Sequence, residues 1–196
     1  MQPSGLIFDC DGTLVDSMPL HWRAWDIVCK RHGIEFSEKR HLAMGGMPSR
    51  KILALLKEEQ GLDFDPIEVS HEKEVAYLPL MSQVGLIEPV VAIAREHHGR
   101  IPMAVATGGR KQFIRPLLER LEIADWFSAL VTSDDVANPK PAPDTFLKAA
   151  ALMGVPAEEC RAYEDTELGM ESIRAAGGME AIDIREIPGV LPASLR

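Results

Sequence analysis

No stretch of the 196 residues approaches the ~20 uncharged apolar residues that cross a bilayer. The opening Met1-Gln2-Pro3-Ser4 lacks a basic segment leading into an apolar one, which is the pattern of a secretory leader. The expectation is a cytoplasmic protein with no membrane partner. Positive charge is also short: 21 Lys and Arg stand against 30 Asp and Glu, a formal net charge of -9. Binding to a nucleic-acid backbone needs clustered cations, so nucleic acid is not an expected partner. Cysteine is sparse. Cys10, Cys29 and Cys160 are odd in number and scattered, giving neither a disulfide framework nor the paired spacing of a zinc site. There is no Walker-type glycine-rich loop ending in Lys, and the glycines at 45, 46, 108 and 109 do not fit a dinucleotide fingerprint. Internal repeats and low-complexity segments are absent as well.

What is present is an ordinary globular composition, 46% apolar and 26% charged, enough for one good core and a small second lobe. Gly5-Leu6-Ile7-Phe8 is too short and too apolar for a helix and ends in Asp9-Cys10-Asp11-Gly12, which reads as a buried strand followed by a turn. Similar runs occur at 101–106, 129–131, 160–163 and 179–182, separated by segments with helical spacing. Strands alternating with helices imply an α/β fold with a doubly wound, Rossmann-like parallel sheet.

Between the first and second strands lies a long segment that reads as helical throughout, with Trp22, Trp25 and Val28 and then Ile52, Leu55 and Leu56 at helical spacing. Ser49 is expected to cap a helix that stops at Gly61; Asp65-Pro66-Ile67-Glu68 combines a capping Asp with a Pro at the first helical position. Pro79 should end or kink the last of these helices. The reading is a core made of 1–16 and 83–196, with an inserted all-helical lobe over 17–82. In the core, helices are expected from Glu88 to Gly99, from Lys111 to Leu121 with a kink at Pro116, and from a capping Asp144 to Gly154. The tail after Pro188 reads as surface.

In an open parallel sheet, ligands bind outside the carboxyl ends of the strands, so the residues that follow each strand carry the functional signal. The first strand delivers Asp9 and Asp11, the second Thr107-Gly108-Gly109, the third a loop containing Lys140, the fourth Glu164-Asp165. Buried together, four carboxylates need a cation, and an oxygen-only donor set without His or Cys indicates a hard ion such as Mg²⁺. Thr107, the backbone amides around Gly108 and the Lys140 ammonium suit a phosphate. Phosphate monoesters hydrolyse very slowly without help, and an Asp nucleophile splits the reaction into two easier steps. Asp11, two residues on, is placed to serve as acid and then base.

The string from Asp9 to Ser17, with Thr107, Lys140-Pro141-Ala142-Pro143-Asp144 and Glu164-Asp165, resembles the four ordered signature motifs of the haloacid dehalogenase superfamily. The resemblance covers nearly the whole chain. The helical insertion resembles the cap of the subgroup that contains bacterial fructose-1-phosphate phosphatases and beta-phosphoglucomutases. The resemblance implies Asp9 as nucleophile and metal ligand, Asp11 as acid/base with its backbone carbonyl on the metal, and Thr107, Gly108 and Lys140 on phosphate. It further implies Asp165 and Glu164 at the metal, and His21 and Arg50 of the cap toward substrate. The implied substrate is a small phosphorylated metabolite, a sugar or polyol phosphate such as fructose 1-phosphate or 6-phosphogluconate. A hexose phosphate mutase remains the alternative, with a phospho-receiver module as a more distant one. The sequence from Gly45 to Ile52 departs from the mutase pattern, which favours hydrolysis. The expected assembly is a monomer or weak homo-oligomer.

Overall fold

The structure, a computed structural model, describes residues 2–191. The end of the tail, 192–196, lies outside the described residues. Five parallel strands form the sheet: β1 Gly5–Phe8, β4 Met103–Ala106, β5 Ala129–Val131, β6 Cys160–Glu164 and β7 Glu180–Asp183, in the order β5-β4-β1-β6-β7. β1 is central, pairing with β4 through Leu6↔Met103 and with β6 through Phe8↔Tyr163. Alternate residues of β1 serve opposite faces, as the period of two requires. Leu6 and Phe8 join a cluster with Val90, Val91, Ile114 and Leu117 of α5 (Glu88–His97) and α6 (Lys111–Arg120). Ile7 joins another with Phe146, Ala149, Met170 and Ile173 of α7 (Asp144–Met153) and α8 (Glu167–Ala175). The expected doubly wound architecture is therefore present, with helices on both faces.

The chain leaves the sheet after β1 and returns through a two-stranded antiparallel ribbon, β2 Val15–Asp16 against β3 Gly85–Leu86. Between them stand four helices: α1 Met18–His32, α2 Glu38–Ala43, α3 Ser49–Gln60 and α4 Pro66–Tyr77. They enclose their own apolar cluster of Trp25, Val28, Ile52, Leu53, Leu56 and Val69. Asp65 caps α4 by accepting from the Ile67 amide at 2.8 Å, with Pro66 at the first helical position.

Several boundaries differ from the sequence expectation. Ser49 does not cap α3; the helix is entered through Pro48, and Ser49 is its first residue. Asp144 is likewise the first residue of α7, behind Pro143. In both cases the proline supplies the N-cap position one residue earlier. β4 begins at Met103, not at Ile101, because Pro102 has no N–H to give the ladder, although its carbonyl accepts from Leu6 N. α4 ends at Tyr77, and Pro79 falls in a tighter 3₁₀ turn over Leu78–Gln83. α6 continues through Pro116. Cys10, Cys29 and Cys160 are buried free thiols. Among the described residues no helix is long and apolar enough to cross a membrane.

Candidate active site

The central position of β1 and its two neighbours decides where the polar groups meet. Asp9 follows β1, Thr107 follows β4, and Glu164 ends β6, so three carboxyl-end positions of adjacent strands converge. The loop from β5 to α7 brings Lys140 beneath them. Its Nζ donates to Asp9 Oδ1 and to Glu164 Oε2, each at 2.7 Å, with Lys140 only 2% exposed. Burial opposes the ammonium charge, yet Asp9 and Glu164 outweigh it and hold Lys140 above the ordinary lysine range.

Asp165 completes the cluster. Asp9, Glu164 and Asp165 each offer a carboxylate oxygen, all within 4.8 Å of one another. Three carboxylates around one ammonium leave negative charge in excess. Burial, followed by repulsion from Glu164, drives the Asp9 carboxyl well above its usual range despite Lys140. A hard divalent cation is the group that fits this oxygen-only donor set and relieves the repulsion. Glu164 is also tied down locally: its Oε1 accepts from Asp165 N, Thr166 N and Thr166 Oγ1 at 3.1, 3.0 and 2.8 Å. Gly169 makes room, since a Cβ there would collide with the Glu164 carboxylate. Thr166 caps α8 by accepting from Gly169 N at 3.1 Å. Gly12, at φ +93°, turns the chain where any side chain would run into Asp165, while Thr13 Oγ1 donates to Asp165 Oδ1 at 3.0 Å.

Asp11 faces the helical insertion instead. Its Oδ1 accepts from Ser17 Oγ at 2.6 Å and lies 3.3 Å from His21 Nε2. On the other side of the ring, Lys73 Nζ stands 2.9 Å from His21 Nδ1. A charged ammonium can only donate, so Nδ1 accepts and Nε2 carries the proton given to Asp11. Burial alone would raise the Asp11 carboxyl, but His21, Ser17 and Lys73 together hold it below the usual range. Burial, reinforced by Lys73, lowers His21 although Asp11 pulls the other way. Burial lowers Lys73 to about 8, against the pull of Asp11 and Glu74. Tyr77 stacks on the His21 ring with centroids 3.9 Å apart.

Thr107 is buried, and its Oγ1 accepts from Gly109 N at 3.0 Å. Above these residues lies a cavity of about 380 Å³, lined from the sheet by Asp9, Asp11, Thr107 and Gly108 and from the insertion by His21, Lys73 and Arg50. Arg50 is exposed, near the start of α3. The structure thus gathers Asp9, Lys140, Glu164 and Asp165 in one cluster, pairs Asp11 with His21, and puts Arg50 on the wall of the same cavity. Sequence reasoning passed over Lys73, Thr166 and Gly169. Lys73 sits between Glu72 and Glu74, the charge pattern of a solvated helix face. Thr166 could have been found as a capping residue directly after the Glu164-Asp165 pair.

These features can be set beside known proteins. Residues 3–177 match the family described as haloacid dehalogenase-like hydrolase. The chain is 38% identical over 182 residues to the fructose-1-phosphate phosphatase YqaB of Escherichia coli strain K12, covering 93% of this chain and 96% of that one. It is 29% identical over 199 residues to the beta-phosphoglucomutase of Bacillus subtilis strain 168, covering 97% and 87%. Its fold superposes on the crystal structure of beta-phosphoglucomutase from Clostridium difficile with a TM-score of 0.84, at 21% identity and over 93% and 84% of the two chains. The sheet, the converging strand ends and the sequence matches agree: this chain belongs to the haloacid dehalogenase-like hydrolase family.

Proposed function

We propose that the protein is a Mg²⁺-dependent phosphatase of small sugar or polyol phosphomonoesters, with fructose 1-phosphate and 6-phosphogluconate as candidate substrates, acting through an aspartyl-phosphate on Asp9. The observation that carries this reading is the position of Asp9. It directly follows the central strand, accepts a hydrogen bond from Lys140 at 2.7 Å, and shares a carboxylate cluster with Glu164 and Asp165 at the floor of the cavity. The Escherichia coli relative, named for fructose 1-phosphate, supports the substrate class. Residues 17–82 would act as a cap over a core of 1–16 and 83–196, hinged where β2 pairs with β3.

In this reading Asp9, Asp165 and the main-chain carbonyl of Asp11 would hold Mg²⁺, with Glu164 as the further acidic partner. The ion supplies positive charge against the phosphoryl oxygens. Lys140 and Thr107 bind those oxygens, and the Gly108 backbone allows close approach. The Asp9 carboxylate attacks phosphorus as the bond from phosphorus to the ester oxygen breaks, and Asp11 gives that oxygen a proton. Water then attacks the phosphorus of the aspartyl-phosphate and passes a proton to Asp11, the bond to Asp9 breaks, and inorganic phosphate leaves. His21 and Ser17 hold the Asp11 carboxyl below the usual range in the free protein; the negative charge of a bound phosphoryl group raises its proton affinity, so Asp11 takes up a proton from solvent as substrate binds and gives that proton to the leaving oxygen.

A panel of phosphomonoesters assayed for phosphate release tests the reading. Release that needs Mg²⁺ and favours sugar or polyol phosphates is expected; full turnover in chelator, or by Asp9→Asn, contradicts it. The similarity to the Bacillus subtilis mutase keeps one alternative in view. With beta-glucose 1-phosphate, free phosphate is the expected product, and glucose 6-phosphate would favour the mutase.

A further inference from the structure

Three segments of the cavity wall meet through one side chain. Arg110, in the loop after β4, lines the cavity together with Glu74 of α4 and Asp134 of the loop after β5. Its Nη1 donates to Glu74 Oε2 at 3.2 Å, and its Nε lies 3.5 Å from Asp134 Oδ1. The two carboxylates belong to different parts of the chain. Asp134 sits on the sheet body with Arg110 and is fixed by other bonds: its Oδ2 accepts from Lys111 N at 3.0 Å. Its neighbour Ser133 donates to Gly109 O through both N and Oγ, at 3.0 and 3.1 Å. Glu74 sits on the helical insertion, with its side chain 15% exposed. The contact of Arg110 with Asp134 is therefore independent of the insertion, and the contact with Glu74 is not.

The same two walls flank Asp11. On the sheet side, a Cβ on Gly109 would stand 3.4 Å from Asp11 Oδ2. On the insertion side, Lys73 Nζ reaches His21 Nδ1 at 2.9 Å, and His21 Nε2 lies 3.3 Å from Asp11 Oδ1. Arg110 follows Gly109 and Glu74 follows Lys73, so the ion pair joins the walls one residue beyond the groups that hold the proposed acid/base. His21 can reach Asp11 only while insertion and sheet are together, and opposite charges at Arg110 and Glu74 favour that state. Arg110 is half exposed, so the pair responds to salt.

We propose that Arg110 is a positioning residue: braced by Asp134, its guanidinium latches Glu74 and holds the insertion where His21 reaches Asp11. This rests on the phosphatase reading.

The test is a double-mutant cycle of Arg110→Gln and Glu74→Gln, with fructose 1-phosphate or whichever ester of the panel turns over fastest. At low ionic strength each single variant should lose about 3- to 5-fold in kcat/KM, chiefly through KM, because a smaller fraction of the free protein is closed. The double variant should be no worse than either single one. In about 1 M NaCl, where the screening length is about 3 Å, the ratio of wild type to Glu74→Gln should approach one. Loss of substrate steering affects both proteins alike and cancels in that ratio. Spin labels on Glu68→Cys of α4 and Glu119→Cys of α6 read the same event without turnover, the native thiols being buried. Their separation should lengthen on adding Glu74→Gln at low salt, and in the otherwise wild-type protein at high salt. Unchanged kcat/KM in both single variants, losses that multiply in the double variant, or a loss in Arg110→Gln with Glu74→Gln unimpaired overturns the proposal; the last would mean that Arg110 acts on the substrate itself. Label distances that Glu74→Gln leaves unchanged overturn it too. Wild-type protein that releases phosphate from no ester of the panel overturns the phosphatase reading, and the label distances then test the latch by itself.

Discussion

A Cβ placed on Gly108 would stand 2.7 Å from the carbonyl oxygen of Gly46, so the loop after β4 meets the loop between α2 and α3 backbone to backbone. Gly45 is equally tight, its absent Cβ 2.8 Å from the Thr166 side chain. The insertion therefore rests on the sheet's carboxyl edge through glycines, and the cavity between them is closed by contacts that tolerate no side chain. Arg110 adds an ionic tie across the same gap, to Glu74 at 3.2 Å.

Gly108→Ala should accordingly separate closure from folding. Its backbone is not in the left-handed region, so the core should lose no more than about 1 kcal/mol of stability. The added methyl collides with Gly46 and should hold the insertion off the sheet, lowering kcat/KM about 10-fold or more. Thermal unfolding and steady-state kinetics on the same preparation check this. Undiminished kcat/KM would mean that the contact is not part of the working closed state.

Lys140 supports a second prediction. It is the ammonium that answers the Asp9 and Glu164 carboxylates, at 2.7 Å from each. Lys140→Met leaves two buried carboxylates without that partner and should cost about 3–5 kcal/mol. Activity should fall about 10³-fold or more, since a cation aimed at the phosphoryl oxygens is removed. A cation that binds the carboxylate cluster stabilises by mass action. Mg²⁺ should therefore raise the Tm of Lys140→Met, and chelator should reverse the gain. Insensitivity of both proteins to Mg²⁺ would contradict the assignment of the cluster as a metal site.

The Asp11-His21-Lys73 chain gives a pH dependence with a definite sign. Lys73 is depressed to about 8 by burial, so its charge is present below that pH and lost above it. Loss of the charge removes one of the influences that hold Asp11 low, along with a cation lining the cavity. The expected kcat/KM profile falls above about pH 8, and Lys73→Arg, which stays charged, should move that limb upward. A profile flat between about pH 7 and pH 10 would show that Lys73 plays no such part.

The sheet was legible because its strands are short apolar runs that stop abruptly at polar turns, as at Phe8-Asp9 and Val131-Thr132. Two helix ends were legible for a similar reason: Gly61 and Gly154 close helices in left-handed backbone, whereas the helix expected to run to Gly99 ends at His97. Ser49 and Asp144 misled because each looks like a cap, while the preceding proline already occupies that place. The β2–β3 ribbon is two residues a side and carries no periodicity to detect. Within the site, chain-local motifs mark Asp9, Asp11, Lys140, Glu164 and Asp165. Lys73 shows no such signal, because what distinguishes it is burial against residues that are distant in sequence. The tilt of Asp11 toward His21 is a property of the packed structure alone.

The most direct test of the central claim is to follow the phosphoryl group itself. Wild-type protein mixed with a labelled sugar phosphate, quenched in acid within a single turnover and digested should carry the label on the peptide containing Asp9. Asp9→Asn should carry none and should turn over about 10⁴-fold or more slowly. Label on another residue, no protein-bound label at any quench time, or comparable turnover by Asp9→Asn would contradict the account.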